Sequence, residues 1–190
     1  YAAAKILEKE MNAGRISANY QRLELLANLY QVAREFDRAI PVIERAAEMA
    51  PDGKMYERLG RSYSELQNWA DAEDALIKAI NKGGLSDAGL AWVLVGQSRY
   101  EREDRSGARE AFRNANNRGG RGWIDFMAAE DNTARALVIF EAQNKVNDFK
   151  KEKERCDDLV VIGNAPESCG DVEERLAGAE DELAAIVGDV

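Results

Sequence analysis

The sequence predicts an all-α solenoid built from stacked antiparallel helical hairpins. Two observations support this fold class. Small and apolar residues recur with a period of about 34 residues, and a glycine- or proline-containing turn follows each predicted hairpin. The step from Ala39 to Ala72 is 33 residues, and the step from Ala72 to Ala108 is 36 residues. A short helical hairpin cannot bury its apolar face alone, so such hairpins must stack on one another.

Three segments carry the repeat, each with large apolar residues and one small residue on a first helix, followed by regularly spaced alanines on a second helix. The first segment contains Leu23, Leu26, Ala27, Tyr30, Phe36, Ala39, Ile43, Ala46 and Pro51. The second contains Tyr56, Leu59, Gly60, Tyr63, Trp69, Ala72, Leu76, Ala79 and Gly84. The third contains Trp92, Val95, Gly96, Tyr100, Ala108, Phe112, Ala115 and Gly120. The small residues predict close crossings between the two helices of each hairpin.

Turn signals occur where this pattern needs them. Residues 50–53, 81–84 and 117–120 each contain glycine and follow a predicted second helix. Glycine suits the left-handed conformation that commonly ends a helix, and proline prevents a helix from continuing. The polar stretches 65–68 and 101–104 are predicted to be the turns within the second and third hairpins.

The in-phase series resembles the tetratricopeptide repeat family, whose motif runs Trp-Leu-Gly-Tyr along a first helix and Ala-Phe-Ala along a second, with proline at the exit. The resemblance covers roughly residues 20–120, and the first segment departs from it with Ala27 in place of glycine. It implies a right-handed superhelix whose concave face, lined by the first helices, binds a segment of a partner protein.

These patterns divide the chain into six predicted parts. Residues 1–19 are interpreted as the second helix of a truncated upstream repeat with a linker, and residues 20–52, 53–88 and 89–122 as three repeats. Residues 123–155 are predicted to form a degenerate fourth hairpin, with a second helix starting at Thr133. Residues 156–190 are predicted to form a cysteine-bearing loop and a C-terminal capping helix, whose apolar stripe is Val172, Leu176, Ala179, Leu183 and Ile186.

Composition excludes several functions. The formal net charge is −9, which disfavours nucleic-acid binding because phosphate recognition requires surplus Lys and Arg. The chain has no histidine and two cysteines, so histidine-based catalysis and histidine or four-cysteine metal sites are excluded within one chain. Neighbouring acids, such as Glu73 and Asp74, do not share a helix face. We therefore expect no enzyme, no cofactor and no metal. No apolar run is long enough to span a membrane.

The resemblance also places a partner-binding groove on the first helices. Its predicted residues, which are polar on the second repeat and mostly apolar on the third, are Lys54, Glu57, Arg61, Leu90, Val93, Gln97 and Tyr100. Leu90, Val93 and Tyr100 are interpreted as the binding anchor, although a small phase error would instead place Val93 inside the core. A clamp for a chaperone C-terminus is not expected, because Glu24 stands where the family's clamp has a lysine.

Cys156 and Cys169 flank a polar turn, and two interpretations of them stay open. A disulfide closing a loop of about 15 residues would stabilise the fold by roughly 3 kcal/mol and would favour an oxidising compartment such as the periplasm. Two free thiols would instead suit the cytoplasm. The cysteine-bearing tail and the segment from Trp123 to Phe126 also bear a weaker resemblance to bacterial envelope proteins that accompany TonB-type transport systems.

The sequence therefore favours an interaction scaffold that binds a protein or peptide segment in its groove, without a role for nucleic acid. The alternative is a structural module that self-associates through an exposed N-terminal helical edge near Ile6 and Leu7.

Overall fold

The computed structural model describes residues 2–163 and 166–188, and every regular element in these ranges is a helix. The predicted all-α class is confirmed. The helices are α1 (Ala2–Asn12), α2 (Tyr20–Val32), α3 (Phe36–Met49), α4 (Lys54–Glu65), α5 (Trp69–Lys82), α6 (Ala88–Glu101), α7 (Arg105–Ala115), α8 (Arg118–Val161) and α9 (Val172–Gly188), with a short 3-10 helix at Glu167–Cys169. The chain divides into two compact units, Tyr1–Asp125 and Phe126–Val190.

The first unit is a stack of three helical hairpins, α2–α3, α4–α5 and α6–α7, in which α3 contacts α4 and α5 contacts α6 across the hairpin boundaries. Side chains cap three of these helices: Asn19, Asp87 and Asp104 each accept a hydrogen bond from a backbone N–H in the first turn. The core contains large side chains from each hairpin, including Leu23 and Met55, which are fully buried. The others are Tyr30, Ile43, Leu76, Val95 and Phe112.

Two glycines determine how closely the paired helices approach. A Cβ atom at Gly60 would overlap the side chain of Leu76, and one at Gly96 would overlap the ring of Phe112. The second pair lies 36 residues after the first, which is the spacing that the sequence predicts between the second and third repeats. The absence of a side chain at these positions therefore lets the large residue of the facing helix pack against the backbone.

The second unit is an antiparallel pair formed by α9 and the part of α8 that belongs to this unit. A disulfide between Cys156 and Cys169 joins the two helices at one end, with a Cα–Cα distance of 5.5 Å. Ion pairs between Lys145 and Glu182 (2.6 Å) and between Lys150 and Glu180 (3.0 Å) set the antiparallel register. The seam between the helices is narrow, and its buried residues are Ala142, Val146, Cys156, Val172 and Ala179.

The predicted fourth hairpin over residues 123–155 is wrong, because α8 runs without a break from Arg118 to Val161. No glycine or proline occurs between residues 123 and 162, so nothing in the local sequence ends the helix. Thr133, where a second helix was expected to start, donates its hydroxyl to the carbonyl of Ala129 within α8 (2.8 Å). The polar residues just before Thr133 were therefore misinterpreted as a turn between two helices.

The turn predicted at residues 117–120 is shorter than expected. Asn116 adopts the left-handed conformation that ends α7, with φ of 47°, and α8 already begins at Arg118. Gly120 lies inside α8, and a Cβ atom there would overlap the carbonyl oxygen of Phe112. Close helix packing, and not a turn, explains this glycine.

Candidate interaction surface

Side chains link the first helices of the first two hairpins, α2 and α4. Gln31 donates from Nε2 to the hydroxyl of Ser62 (3.0 Å), and Arg58 donates from Nε to Gln31 Oε1 (3.2 Å). Arg58 also donates to Asn28. Burial lowers the pKa of the Arg58 guanidinium, although this group stays a cation at neutral pH. The polar surface of α2 and α4 is therefore organised by amide side chains around one half-buried cation.

The predicted polar groove residues on α4 form two local ion pairs. Lys54 pairs with Asp52 (2.9 Å), and Arg61 donates from Nη2 to Glu57 Oε1 (2.7 Å). The bond with the Asp52 carboxylate raises the pKa of the Lys54 ammonium. Both cations are about half exposed, so their ends can also reach a ligand.

A depression of about 420 Å³ brings two predicted groove residues together across α4 and α6. Arg61 projects from α4 and Gln97 from α6, while Leu94 and Trp69 supply apolar surface. The remaining lining residues are Ser64, Glu65 and Gln67. This combination can contact a polar backbone and an apolar side chain of a bound segment.

Sequence reasoning did not include Leu94 and Trp69 in the groove. Trp69 follows the turn of its hairpin, and the sequence assigns it only to the repeat pattern. Its half-buried ring is nevertheless part of the depression. Leu94 follows Val93 in the sequence. The rotation of α6 about its own axis decides which of these two residues faces α4.

The predicted apolar anchor residues lie outside this depression. Leu90 is 38% exposed, whereas Val93 is half-buried, with a methyl group 3.5 Å from the position a Cβ atom would take at Gly119. Tyr100 packs its ring against Trp123 at a centroid distance of 5.4 Å. Tyr100, which the sequence assigns to the binding anchor, therefore also takes part in packing, because Trp123 comes from the next helix. Its role as a binding residue stays a prediction.

A second polar cluster was not found from the sequence. Glu73 on α5 accepts from Arg99 Nε and from Arg102 Nη1, both at 2.7 Å. Arg99 also donates to the carbonyl of Gly107 on α7 (3.1 Å). This cluster joins three consecutive helices, and an i,i+4 search within single helices could not reveal it.

Within residues 2–163 and 166–188, no group of three or more Cys, Asp or Glu side chains is arranged to hold a metal ion. No helix in the described ranges combines the length and apolar character needed to cross a membrane.

The remaining predicted sites lie at the two ends of the chain. The disulfide between Cys156 and Cys169 is formed. The side chain of Ile6 on α1 is 64% exposed, while Leu7 is half-buried. The proposed N-terminal edge therefore presents one large apolar side chain.

Residues 23–54 match the tetratricopeptide repeat family. The fold is similar to a solved structure named MamA MSR-1 C2, with a TM-score of 0.51 and 21% sequence identity. That match covers 60% of this chain and 63% of the other chain, so this chain spans less than two thirds of the structure it matches. No curated protein matches the sequence.

Proposed function

We propose that this chain is a non-catalytic scaffold of the tetratricopeptide repeat type that binds a segment of another protein along α2, α4 and α6. The observation that carries this proposal is the depression shared by Arg61, Gln97, Leu94 and Trp69. Concave sites that combine apolar walls with a few polar groups are the usual form of a binding site.

The depression favours a segment with an apolar side chain and an exposed backbone. Leu94 and the indole of Trp69 offer apolar contact, and the amide of Gln97 can both donate to and accept from a peptide group. Arg61 is held by Glu57, so its guanidinium is already oriented. A small central group of aromatic, arginine and apolar residues commonly carries most of the binding energy of a protein interface.

A random peptide display library selected on the wild-type chain tests the scaffold function without a known partner. We expect selected peptides to bind Arg61→Ala/Gln97→Ala about tenfold more weakly than wild type, the loss that truncating one interface residue worth about 1.4 kcal/mol would produce. The matched control is Lys78→Ala, an exposed residue on the second-helix side of the stack whose ion pair with Asp74 is local.

Selection of no peptide, or equal binding by Arg61→Ala/Gln97→Ala and wild type, would contradict the groove site. Tyr100 is unsuitable for this experiment, because truncating it also removes its packing against Trp123. The residues Lys54, Glu57, Leu90 and Val93 stay predictions that single substitutions in the same binding measurement can rank.

We also propose that the chain works in an oxidising compartment, such as the bacterial periplasm. The support is the disulfide, since cytosolic thiols are kept reduced. Alkylation of freshly isolated protein measures this directly, and two reactive thiols per chain would contradict it. A role beside TonB-type transport systems stays a prediction from the sequence resemblance.

A further inference from the structure

The disulfide between Cys156 and Cys169 lies at a depression of about 480 Å³ on the surface of the C-terminal unit. Both cysteines line this depression, together with apolar surface from Phe149, Leu159 and Pro166. Cys156 is 7% exposed, whereas Cys169, in the short 3-10 helix before α9, is only half-buried. A thiol of another molecule can therefore approach Cys169 from solvent.

A single side chain links α8 and α9 beside the disulfide without a covalent bond. Arg175 on α9 donates from Nη1 and Nη2 to the two carboxylate oxygens of Glu152 on α8, at 3.1 and 2.8 Å. Its Nη2 also donates to the carbonyl of Ser168 (3.2 Å), and its Nε donates to Asp171 (3.1 Å). The guanidinium lies over the ring of Phe149, 5.3 Å from the ring centroid. Bidentate geometry of this kind makes a partly exposed ion pair stronger than a single contact.

The partners of Arg175 lie next to both cysteines. Glu152 precedes Cys156 by four residues, which is about one turn of α8, and Ser168 is directly followed by Cys169. Arg175 therefore connects the turn before one cysteine to the residue beside the other. This connection does not involve the sulfur atoms, so it remains when the S–S bond is broken and keeps the two thiols close together.

We propose that Cys156 and Cys169 form a reversible dithiol–disulfide pair, and that Arg175 is the positioning residue that holds the two thiols together in the reduced state. The reductant is a dithiol of the kind that thiol–disulfide oxidoreductases carry. Such a pair makes the stability of the C-terminal unit depend on the redox conditions around the protein. The repeat unit contains no cysteine, so its stability does not change with them.

The exchange proceeds through a mixed disulfide. A thiolate of the reductant attacks Sγ of Cys169, the more exposed cysteine. The S–S bond breaks, and Cys156 leaves as a thiolate that takes a proton from solvent. The second thiolate of the reductant then attacks the reductant sulfur bound to Cys169, which leaves as a thiolate and is protonated in turn. The chain gains two electrons and two protons, and the dithiol becomes a disulfide.

Mixtures of reduced and oxidised dithiothreitol, a small dithiol, test this proposal on the intact chain. The chain is equilibrated at several ratios of the two forms without denaturant, and alkylation followed by mass spectrometry gives the reduced fraction. We expect wild type to reach the same equilibrium from the reduced and from the oxidised side. Arg175→Ala should lower the equilibrium constant for disulfide formation about tenfold, because the two thiols are then held together less firmly.

The matched control is Lys150→Ala, which removes another ion pair between the same two helices, that with Glu180 (3.0 Å). This pair does not involve the residues beside the cysteines, so the equilibrium constant should stay near that of wild type. Glu152→Gln should shift the constant in the same direction as Arg175→Ala. The double variant should shift it no further than Arg175→Ala alone, because both substitutions remove the same ion pair. Circular dichroism verifies that each reduced variant keeps its helix content.

Three results would overturn the proposal. A disulfide that dithiothreitol reduces only after the chain is unfolded would be a fixed structural link. Equal equilibrium constants for wild type and Arg175→Ala would remove the positioning role of Arg175. An equal shift for Lys150→Ala and Arg175→Ala would show that helix pairing in general, and not this side chain, holds the thiols together.

Discussion

The repeat unit and the C-terminal unit are both built from antiparallel helices, but they are held together by different interactions. In the repeat unit, helices contact neighbours on more than one side, and Phe112 packs against the backbone at Gly96. The C-terminal unit has one narrow seam of small residues, a disulfide and ion pairs. A stack of hairpins can bury large side chains, whereas a single helical pair exposes most of its surface and depends more on covalent and charged links.

The largest expected difference comes from removing one phenylalanine in each unit. Phe112 is fully buried and stacks on Trp123 at a centroid distance of 5.2 Å, so we expect Phe112→Ala to lower the free energy of unfolding by about 3–5 kcal/mol. Phe149 is half-buried beneath the guanidinium of Arg175, and Phe149→Ala should cost about 1–2 kcal/mol.

Urea unfolding followed by tryptophan fluorescence and by circular dichroism measures both changes. The three tryptophans, Trp69, Trp92 and Trp123, all belong to the repeat unit. The urea concentration at the midpoint of the fluorescence transition should therefore be lower for Phe112→Ala than for wild type. For Phe149→Ala it should stay near the wild-type value. If Phe112→Ala and Phe149→Ala lowered the free energy of unfolding equally, this would contradict the conclusion that the two units are stabilised by different interactions.

The next largest effect concerns the disulfide, which closes a loop with a sequence separation of 13 residues. By the chain-entropy argument, Cys156→Ser/Cys169→Ser should cost the C-terminal unit about 3 kcal/mol. Hydrogen exchange of the α9 amides should become faster, while exchange in α4 and α5 should not change. Wild-type protein treated with a reductant is the control, and faster exchange throughout the chain would show that the two units are not energetically separate.

The smallest effect is a pH dependence within the repeat unit. Burial, followed by the hydrogen bond that Tyr63 donates to Glu44 (2.8 Å), raises the pKa of Tyr63 to about 12. An unfolded tyrosine titrates near pH 10, so the unfolded chain loses this proton first. The contribution of Tyr63 to stability is therefore complete below about pH 10 and is lost as the pH rises towards 12.

Unfolding measured between pH 9 and pH 12 should show a smaller decrease in stability for Tyr63→Phe than for wild type. Tyr30, whose pKa burial also raises, remains in both proteins and contributes equally to each curve. If the free energy of unfolding of the two proteins decreased equally with pH, the pH-dependent loss of stability could not be assigned to Tyr63.

The sequence predicted the candidate groove only in part. Arg61 and Gln97 were identified from their repeat positions, and they line one depression. Leu94 and Trp69 were missed, and Tyr100 was assigned to the groove although it packs on Trp123. Repeat position defines a helix face to within about one residue spacing, or 100°, and this is too coarse to separate Val93 from Leu94.

The sequence by itself determined the repeat architecture. Short hairpins with a repeated pattern of small and large residues bury their apolar faces by stacking on one another. Gly60 and Gly96 marked the close crossings, and the two cysteines marked the joined ends of the last two helices. Only the tertiary structure decided that residues 118–161 form one helix, since Gly119 and Gly120 read as a turn in the sequence and the close packing of Gly120 against Phe112 depends on the fold. It also decided which side chains from different helices meet, as in the cluster of Glu73, Arg99 and Arg102, because such contacts depend on helix rotation and spacing that no local pattern encodes.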